Sequence, residues 1–384
     1  MARSSQLSRV SLKRFFARLP DPRRRRGRVR HPLINIVVLA LCGVIAGADT
    51  PEEIARFAQA RRDWFGRLLD LRAGIPSHDT IGRVLAALDP QAFQRCLLAW
   101  VNALHEVTQG QIIAIDGKAA REAMARATDK GPLCLVTAWA TANHVVLGQV
   151  AAPAGSSELG GLPKLLELLE LQGAIVTLDA LGCQKDIAQQ IIDQGGDYVM
   201  SVKGNQEKLE EVVLAAFTEA FEANDDLPTR TTQEIGHGRR EMRLCTVIDV
   251  PDAFTEKDKW AGLKSLAMVT REYVDVNGVT HHGTRYYISS LPARRAKTIA
   301  QAVRSHWSVE NQVHWVMDVA FGEDTSRARD QHLQANLGVL RRTALSMLKN
   351  AADLGGSIKC RRKQAGWNEE ILTKVLFAQK TEQT

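Results

Sequence analysis

Two aspartates follow apolar runs of the kind that form buried strands. Residues 112–115 lead into Asp116, and residues 175–178 lead into Asp179. A continuous apolar run predicts a strand buried on both faces, and ligand sites of open α/β sheets form at the carboxyl ends of such strands. If the strands are neighbours, the two carboxylates converge and repel each other, so protons or cations must offset their charge. A divalent metal with oxygen ligands would do so, whereas a helix cap is the alternative for either aspartate alone.

The segment 304–315 is a third candidate for chemistry. His306, Glu310 and His314 are spaced i, i+4 and i+8, which predicts one stripe of a helix, with Trp307 and Trp315 beside it. A structural helix face is one alternative. A zinc site is another, but the H-E-x-x-H order is missing and the outer histidines are too far apart for one ion.

Basic residues are concentrated at the amino terminus. Residues 1–31 contain eleven lysines and arginines and one acid, whereas the other 353 residues contain 39 basic and 42 acidic side chains. Arg23, Arg24, Arg25 and Arg26 form the densest run. Such a run suits contact with nucleic-acid phosphates, and a solvated, flexible arm is the alternative.

The apolar run after this arm imitates a secretion signal. Residues 33–48 are apolar except for Asn35, but the basic region before them is far longer than that of a signal peptide. The run has 16 residues, short of the roughly 20 that span a membrane. A buried core helix is therefore the better interpretation. The six cysteines form no C-x-x-C pair, which fits a reducing cytosol.

Two kinds of periodicity divide the chain. Helical spacing dominates residues 33–107, within which 75–88 is either the second helix of a helix-turn-helix or an ordinary bundle helix. From 111 to 205 the order of runs is β-β-β-α-β-α-β, which predicts a mixed α/β sheet. Residues 206–296 begin with a helix and continue as β runs between turn signals, and helical spacing returns after them.

Four motifs resemble those of the ISAs-type, or H-repeat-associated, insertion-sequence transposases of the DDE class. They are IDGK at 115–118, VTLDALGCQ at 176–184, YVMSVKGNQ at 198–206 and HWSVENQVHWVMDV at 306–319. Shorter matches lie at 31–33, 75–80, 236–239 and 321–324. The resemblance spans about residues 10–350, nearly the whole chain.

The resemblance implies a ribonuclease H-like, mixed-sheet α/β catalytic core with a β-rich insertion, preceded by an all-α N-terminal domain. It implies Asp116, Asp179 and Glu310 as the catalytic triad and as the ligands of two Mg²⁺ (or Mn²⁺) ions about 4 Å apart. Asp116 would bridge both ions. The implied domains are a basic arm (1–31), an α-helical DNA-binding domain (32–108), the core (109–205 and 297–353), a helix plus β-rich insertion (206–296) and a basic tail (354–384).

The residues around Glu310 depart from the family pattern. Related groups carry Tyr, Arg and Lys where this chain has Val303, His306 and Met317. We expect His306 or His314 to take over part of that role, by contacting DNA or by supporting a metal ligand. The further candidates for phosphate contacts are Lys118, Lys203 and Arg304.

The implied function is a transposase that cuts insertion-sequence ends and joins them to target DNA by two-metal phosphoryl transfer. Its partner would be double-stranded DNA, both the terminal inverted repeats and the target, and it would act as a homodimer or larger assembly. We expect a cytoplasmic, bacterial, nucleoid-associated protein with no membrane partner. The alternatives are a domesticated or inactive relative that acts as a metal-dependent nuclease or as a DNA-binding regulator, and the three acids disfavour the regulator.

The basic arm leads to a prediction about DNA binding. Deleting residues 1–30 should weaken binding and flatten its salt dependence, because each phosphate that the arm no longer neutralises lowers the slope of log K against log salt by about 0.9. Fluorescence anisotropy with labelled duplex DNA over a salt titration measures this slope. An unchanged slope would mean that the arm does not touch the DNA backbone.

Overall fold

The computed structural model describes residues 15–23, 29–104, 111–120, 133–153, 156–224, 227–236, 239–275, 278–326, 328, 330–351 and 353–377. The chain divides into two compact units. The first contains Met1–Val107, Gly117–Ser157 and Glu310–Thr384, and the second contains Thr108–Asp116 and Glu158–Val309. Arg24, Arg25 and Arg26 of the arm lie outside the described residues.

Helices form the amino-terminal part of the first unit. They are α1 (Leu33–Ile45), α2 (Pro51–Ala60), α3 (Arg62–Leu68), α4 (His78–Ala87) and α5 (Pro90–Leu104). Every residue of α1 from Asn35 onward is buried, so the predicted core helix is confirmed. The helix α2 begins with a capping box that Thr50 and Glu53 form. Among the described residues, no helix combines the length and the apolar character that crossing a membrane requires.

The middle of the chain alternates strands and helices in the predicted order. The elements are β1 (Ile112–Ala120), β2 (Leu133–Ala140), β3 (Val145–Ala151), α6 (Leu162–Glu167), β4 (Ile175–Leu178), α7 (Lys185–Asp193) and β5 (Asp197–Val202). The next are α8 (Glu207–Ala223), β6 (Thr229–Gly236), β7 (Arg239–Asp249), β8 (Ser265–Val274) and β9 (Thr280–Ser289).

The carboxyl-terminal part is helical. Its elements are α9 (Ala296–Val309), a π-helical turn (Glu310–His314), α10 (Trp315–Phe321), α11 (Gln331–Asn350), α12 (Ile358–Trp367) and α13 (Glu369–Phe377). The basic tail therefore contains two helices.

A mixed sheet is the centre of the second unit. Its strand order is β1-β4-β5-β9-β8-β7-β6. The strands β1, β4 and β5 are parallel, and the remaining pairs are antiparallel. The α/β class with a mixed sheet is thus confirmed. Because β9 pairs with β5, the β-rich segment extends the same sheet.

Two strand predictions need correction. The first strand does not end at Asp116 but continues to Ala120, although its pairing with β4 stops at Ile115. The strand β6 was not predicted at all, because its residues are polar and, where described, exposed, so no apolar alternation marks it. Threonine-rich edge strands of this kind form through partner pairing and β-propensity rather than burial.

In the first unit, α11 packs against the amino-terminal helices. The buried side-chain amide of Asn336 donates hydrogen bonds to the carbonyl oxygens of Leu85, at 2.7 Å, and Leu88, at 3.0 Å. These bonds satisfy carbonyls at the end of α4 that have no partner within the helix. The end of the α-helical DNA-binding domain at residue 108 stays a prediction.

A buried ion pair connects α11 to the loop after α10. The guanidinium of Arg342 binds both oxygens of Glu323, at 2.5 and 3.1 Å, and both side chains are almost fully buried. Burial by itself raises the pKa of Glu323, but the charge and hydrogen bonds of Arg342 outweigh burial and hold the pKa at about 2. Its stabilising effect is therefore complete above the ordinary value of 4.5 and is lost as the pH falls toward 2.

This pair predicts a large stability effect. Arg342→Met should lower the free energy of unfolding by about 3–5 kcal/mol, because it leaves a buried carboxylate without its main partner. Arg342→Met/Glu323→Leu should recover most of the loss. Urea unfolding at pH 7 measures both, and an unchanged midpoint in the single variant would contradict the prediction.

Candidate active site

The register of two parallel strands brings two aspartates together. Ile115 lies opposite Leu178, and the next residue of each strand is Asp116 and Asp179. Both aspartates are partly buried, and their carboxylate oxygens lie within 4.8 Å of each other. The predicted convergence of the two carboxylates is therefore confirmed, whereas their catalytic role stays a prediction.

A third carboxylate, Glu158, joins this pair. One ligand oxygen from each of Asp116, Glu158 and Asp179 lies within 4.8 Å of the other two. Glu158 begins a 3₁₀ turn just before α6. Sequence reasoning missed it because it follows two serines in a loop, where an acid is ordinarily solvated. We call these three residues the carboxylate cluster.

The loop after β4 orients Asp179. Its Oδ1 accepts hydrogen bonds from the backbone N–H groups of Leu181 and Gly182, each at 3.0 Å. A Cβ at position 182 would come within 2.9 Å of the Leu178 side chain, so the close approach favours glycine. The backbone thereby fixes one oxygen of Asp179 while the other oxygen stays available as a ligand.

His306 lies close to two members of the cluster. Its Nδ1 is 3.0 Å from the hydroxyl of Thr177, two residues before Asp179. Burial lowers the pKa of His306, although the charges of Asp116 and Asp179 raise it. The net shift of the pKa is downward from 6.5, which favours the neutral imidazole.

The predicted phosphate-binding residues have different surroundings. Lys203 is exposed at the end of β5. The guanidinium of Arg304, on α9, binds Glu234 of β6 at 2.9 and 2.5 Å. Arg23, at the start of the 23–26 run, binds Asp21 at 2.5 Å and the carbonyl of His31 at 2.8 Å.

Lys118 is enclosed by acids of the first unit. Its ammonium contacts Asp318 and lies 3.4 Å from Asp324 and 3.8 Å from Glu323. These acids compete with DNA for its charge, so its predicted phosphate contact would require breaking ion pairs. No local pattern around Lys118 indicates this, because the partners lie about two hundred residues away.

Glu310 and His314 differ in burial and belong to a π turn. Glu310 is exposed and opens the π turn, whereas His314 ends the turn and is 7% exposed. A π turn contains an extra residue and therefore shifts the face on which the following side chains lie. The prediction assumed a uniform α-helix over this segment, whereas the observed helix is interrupted by the π turn that begins at Glu310. Trp307 is 38% exposed and Trp315 is 61% exposed.

Comparison with known proteins decides the family. The family model described as the transposase DDE domain matches residues 108–347, and the model DDE_Tnp_1-associated matches residues 13–101. This chain belongs to the transposase DDE domain family. Among its relatives is YncI of Escherichia coli O157:H7, named as a candidate transposase, which is 39% identical and is matched over 96% of this chain and 95% of its own length.

A second relative agrees with this membership. YhhI of Escherichia coli K12, named as an H repeat-associated candidate transposase, is 35% identical over 93% of this chain and 95% of its own length. A structural match to a piggyBac transposase, solved in a synaptic complex with hairpin DNA, covers 97% of this chain and 78% of the piggyBac chain. The two chains are 11% identical, and the TM-score of 0.43 carries no structural conclusion.

The carboxylate cluster suits a hard divalent cation. Carboxylate oxygens are the ligands that Mg²⁺ and Mn²⁺ prefer, and three acids this close need a cation to offset their repulsion. Asp116, Glu158 and Asp179 are therefore the residues of the second unit that would hold it.

Metal binding should be measurable without DNA. We expect Mn²⁺ to raise the melting temperature of the protein, because an ion that binds only the folded state stabilises it by mass action. Asp116→Asn, Glu158→Gln and Asp179→Asn should each weaken Mn²⁺ binding in calorimetry by more than about 10-fold, at least the loss typical of supporting residues. Glu211→Gln, at an exposed position of α8, is the matched control. Equal affinity in all four variants would exclude the cluster as the metal site.

Proposed function

We propose that this protein is a DNA transposase that cuts the ends of an insertion sequence and joins them to target DNA by metal-dependent phosphoryl transfer. The observation that carries the proposal is the carboxylate cluster of Asp116, Glu158 and Asp179 in a chain of the transposase DDE domain family. Its partner is double-stranded DNA of the element ends and of the target, and it acts in the bacterial cytoplasm, at the nucleoid, as a dimer or larger assembly.

The proposed catalytic triad is Asp116, Asp179 and Glu310. The first two are supported by their convergence at the end of the β1–β4 pairing. Glu310 is included because the motif at 306–319 resembles that of the family. The proposed core is ribonuclease H-like, which agrees with a mixed sheet in which β1 and β4 are parallel neighbours.

Glu158 adds a fourth carboxylate to the proposed site. When bound, two Mg²⁺ or Mn²⁺ ions would activate the attacking hydroxyl and stabilise charge on the leaving oxygen. The protein side chains hold those charges in place: Asp179 is oriented by two backbone N–H groups, and Glu158 reaches in from the turn before α6. Each carboxylate also keeps DNA phosphates away unless a cation lies between them.

His306 has a positioning role in this proposal and does not itself take part in the reaction. Its Nδ1 is engaged with Thr177, and the neutral ring leaves Nε2 for a hydrogen bond with a carboxylate of the cluster or with DNA. A neutral donor at this place supports a ligand without competing with the metal for its charge.

Cleavage of DNA tests the proposal directly. Asp116→Ala, Asp179→Ala and Glu310→Gln should each abolish cleavage of end-repeat DNA in Mg²⁺, because each removes a metal ligand, while melting temperature and DNA binding stay close to those of the parent. Glu211→Gln should cleave like the parent. Cleavage that survives one of the three substitutions removes that residue from the triad, and cleavage without strand joining would assign a nuclease instead.

A further inference from the structure

Arginines are concentrated on one face of the sheet formed by β6 to β9. In an antiparallel sheet, directly opposite residues share a face, and so do residues two apart on a strand. The register places Arg243 of β7 opposite Arg271 of β8. The adjacent row of the same face carries Arg230 of β6 at one end and Arg285 of β9 at the other.

This face is the one covered in part by α9. Further along the same face, Val247, Ala267 and Tyr287 belong to one buried cluster with Ile299 and Val303 of α9. The arginines thus lie on the α9 side of the sheet.

The opposite face is covered by α8. The ring of Phe217, on α8, packs 5.9 Å from that of Tyr286, whose side chain points away from Arg285 and Tyr287.

Two acids hold these arginines in place without neutralising them all. Glu241 contacts Arg243 and binds Arg271 at 2.8 Å. Glu234 binds Arg304, which projects from α9, and lies 3.7 Å from Arg243.

A positive excess remains on this face. Asp275, at its outer end, binds His281 at 3.1 Å. Among the described side chains, the five arginines outnumber the acids that lie with them. The side chain of Arg271 is 43% exposed although it binds Glu241, so part of this charge is accessible from solvent.

A series of contacts leads from one of these arginines, Arg285, toward the carboxylate cluster. The guanidinium of Arg285 lies 4.9 Å over the ring of Trp307, the neighbour of His306 on α9. His306 in turn reaches Thr177, two residues before Asp179. The charge of Arg285 lowers the pKa of His306 while that of Asp179 raises it, so one imidazole is within range of both charges.

We propose that this arginine face, made of Arg230, Arg243, Arg271, Arg285 and Arg304, binds the phosphates of the duplex DNA whose scissile bond enters the carboxylate cluster. The inference rests on the proposed function and adds to it a surface for the substrate. Duplex DNA carries one negative charge per about 1.7 Å of its axis, so a strand that approaches three carboxylates needs positive charge beside them. Arginine provides it with a fork that matches phosphate oxygens.

The salt dependence of DNA binding tests the arginine face. The full-length protein is titrated with labelled end-repeat duplex in EDTA, so that binding is measured without cleavage. Arg271→Gln/Arg285→Gln should weaken binding by about 10-fold or more and lower the slope of log K against log salt by about 0.9 for each phosphate that is no longer neutralised. Arg271→Lys/Arg285→Lys should keep most of the slope because it keeps the charges.

Two further variants control for location and folding. Lys208→Gln removes an exposed charge from α8, on the opposite face of the sheet, and should bind like the parent. Glu234→Gln removes an exposed carboxylate that binds Arg304, so it should strengthen binding several-fold. Glu234→Gln should raise the affinity for DNA, whereas loss of folding would lower it. This variant therefore tests the arginine face even if Arg271→Gln/Arg285→Gln has a lower melting temperature than the parent.

The outcomes separate this inference from the proposed function. If the parent binds and cleaves the duplex but the glutamine variant has the parent's affinity and slope, the arginine face is wrong and the transposase proposal stands. If Glu234→Gln leaves affinity unchanged or lower, the face is equally excluded. If the parent binds no DNA at any salt concentration, both proposals fail.

Discussion

Electrostatic repulsion among carboxylates is the constraint around which the second unit is arranged. Parallel pairing of β1 with β4 places Asp116 beside Asp179, and the turn before α6 adds Glu158. Like charges within 4.8 Å destabilise one another unless a cation or a proton intervenes. The N–H groups of Leu181 and Gly182 stabilise the charged form of Asp179. The fold thus concentrates negative charge at the end of the β1–β4 pairing.

The basic residues of the chain divide into structural and available groups. Arg342 is buried against Glu323, and Arg362 of the basic tail is 4% exposed, where it binds the carbonyl of Val44 and the carboxylate of Asp49. Lys118 is surrounded by acids. The number of lysines and arginines therefore overstates the positive charge that is available to a polyanion. A DNA-binding surface requires a place where arginines outnumber the acids that contact them.

The sequence predicted those features that depend on local periodicity. Apolar runs marked β1 and β4 and hence the approach of Asp116 to Asp179, because burial on both faces leaves a continuous signal in the chain. Glu158 could not be found in this way, since a loop acid carries no periodicity. The polar edge strand β6 was missed for the same reason. The partners of Lys118 depend on tertiary packing between distant segments, for which a single sequence holds no pairwise signal.

The π turn after α9 is the clearest case in which irregular geometry accompanies a residue of proposed function. In a uniform α-helix, Glu310 and His314 would lie near each other on one face, and burying one would tend to bury the other. Here the two residues belong to one π turn and differ in burial, since His314 packs inside while Glu310 remains exposed. π-helical turns are rare and occur frequently at functional sites. Its position at the acid of the family motif supports the view that the helix is distorted in order to present Glu310.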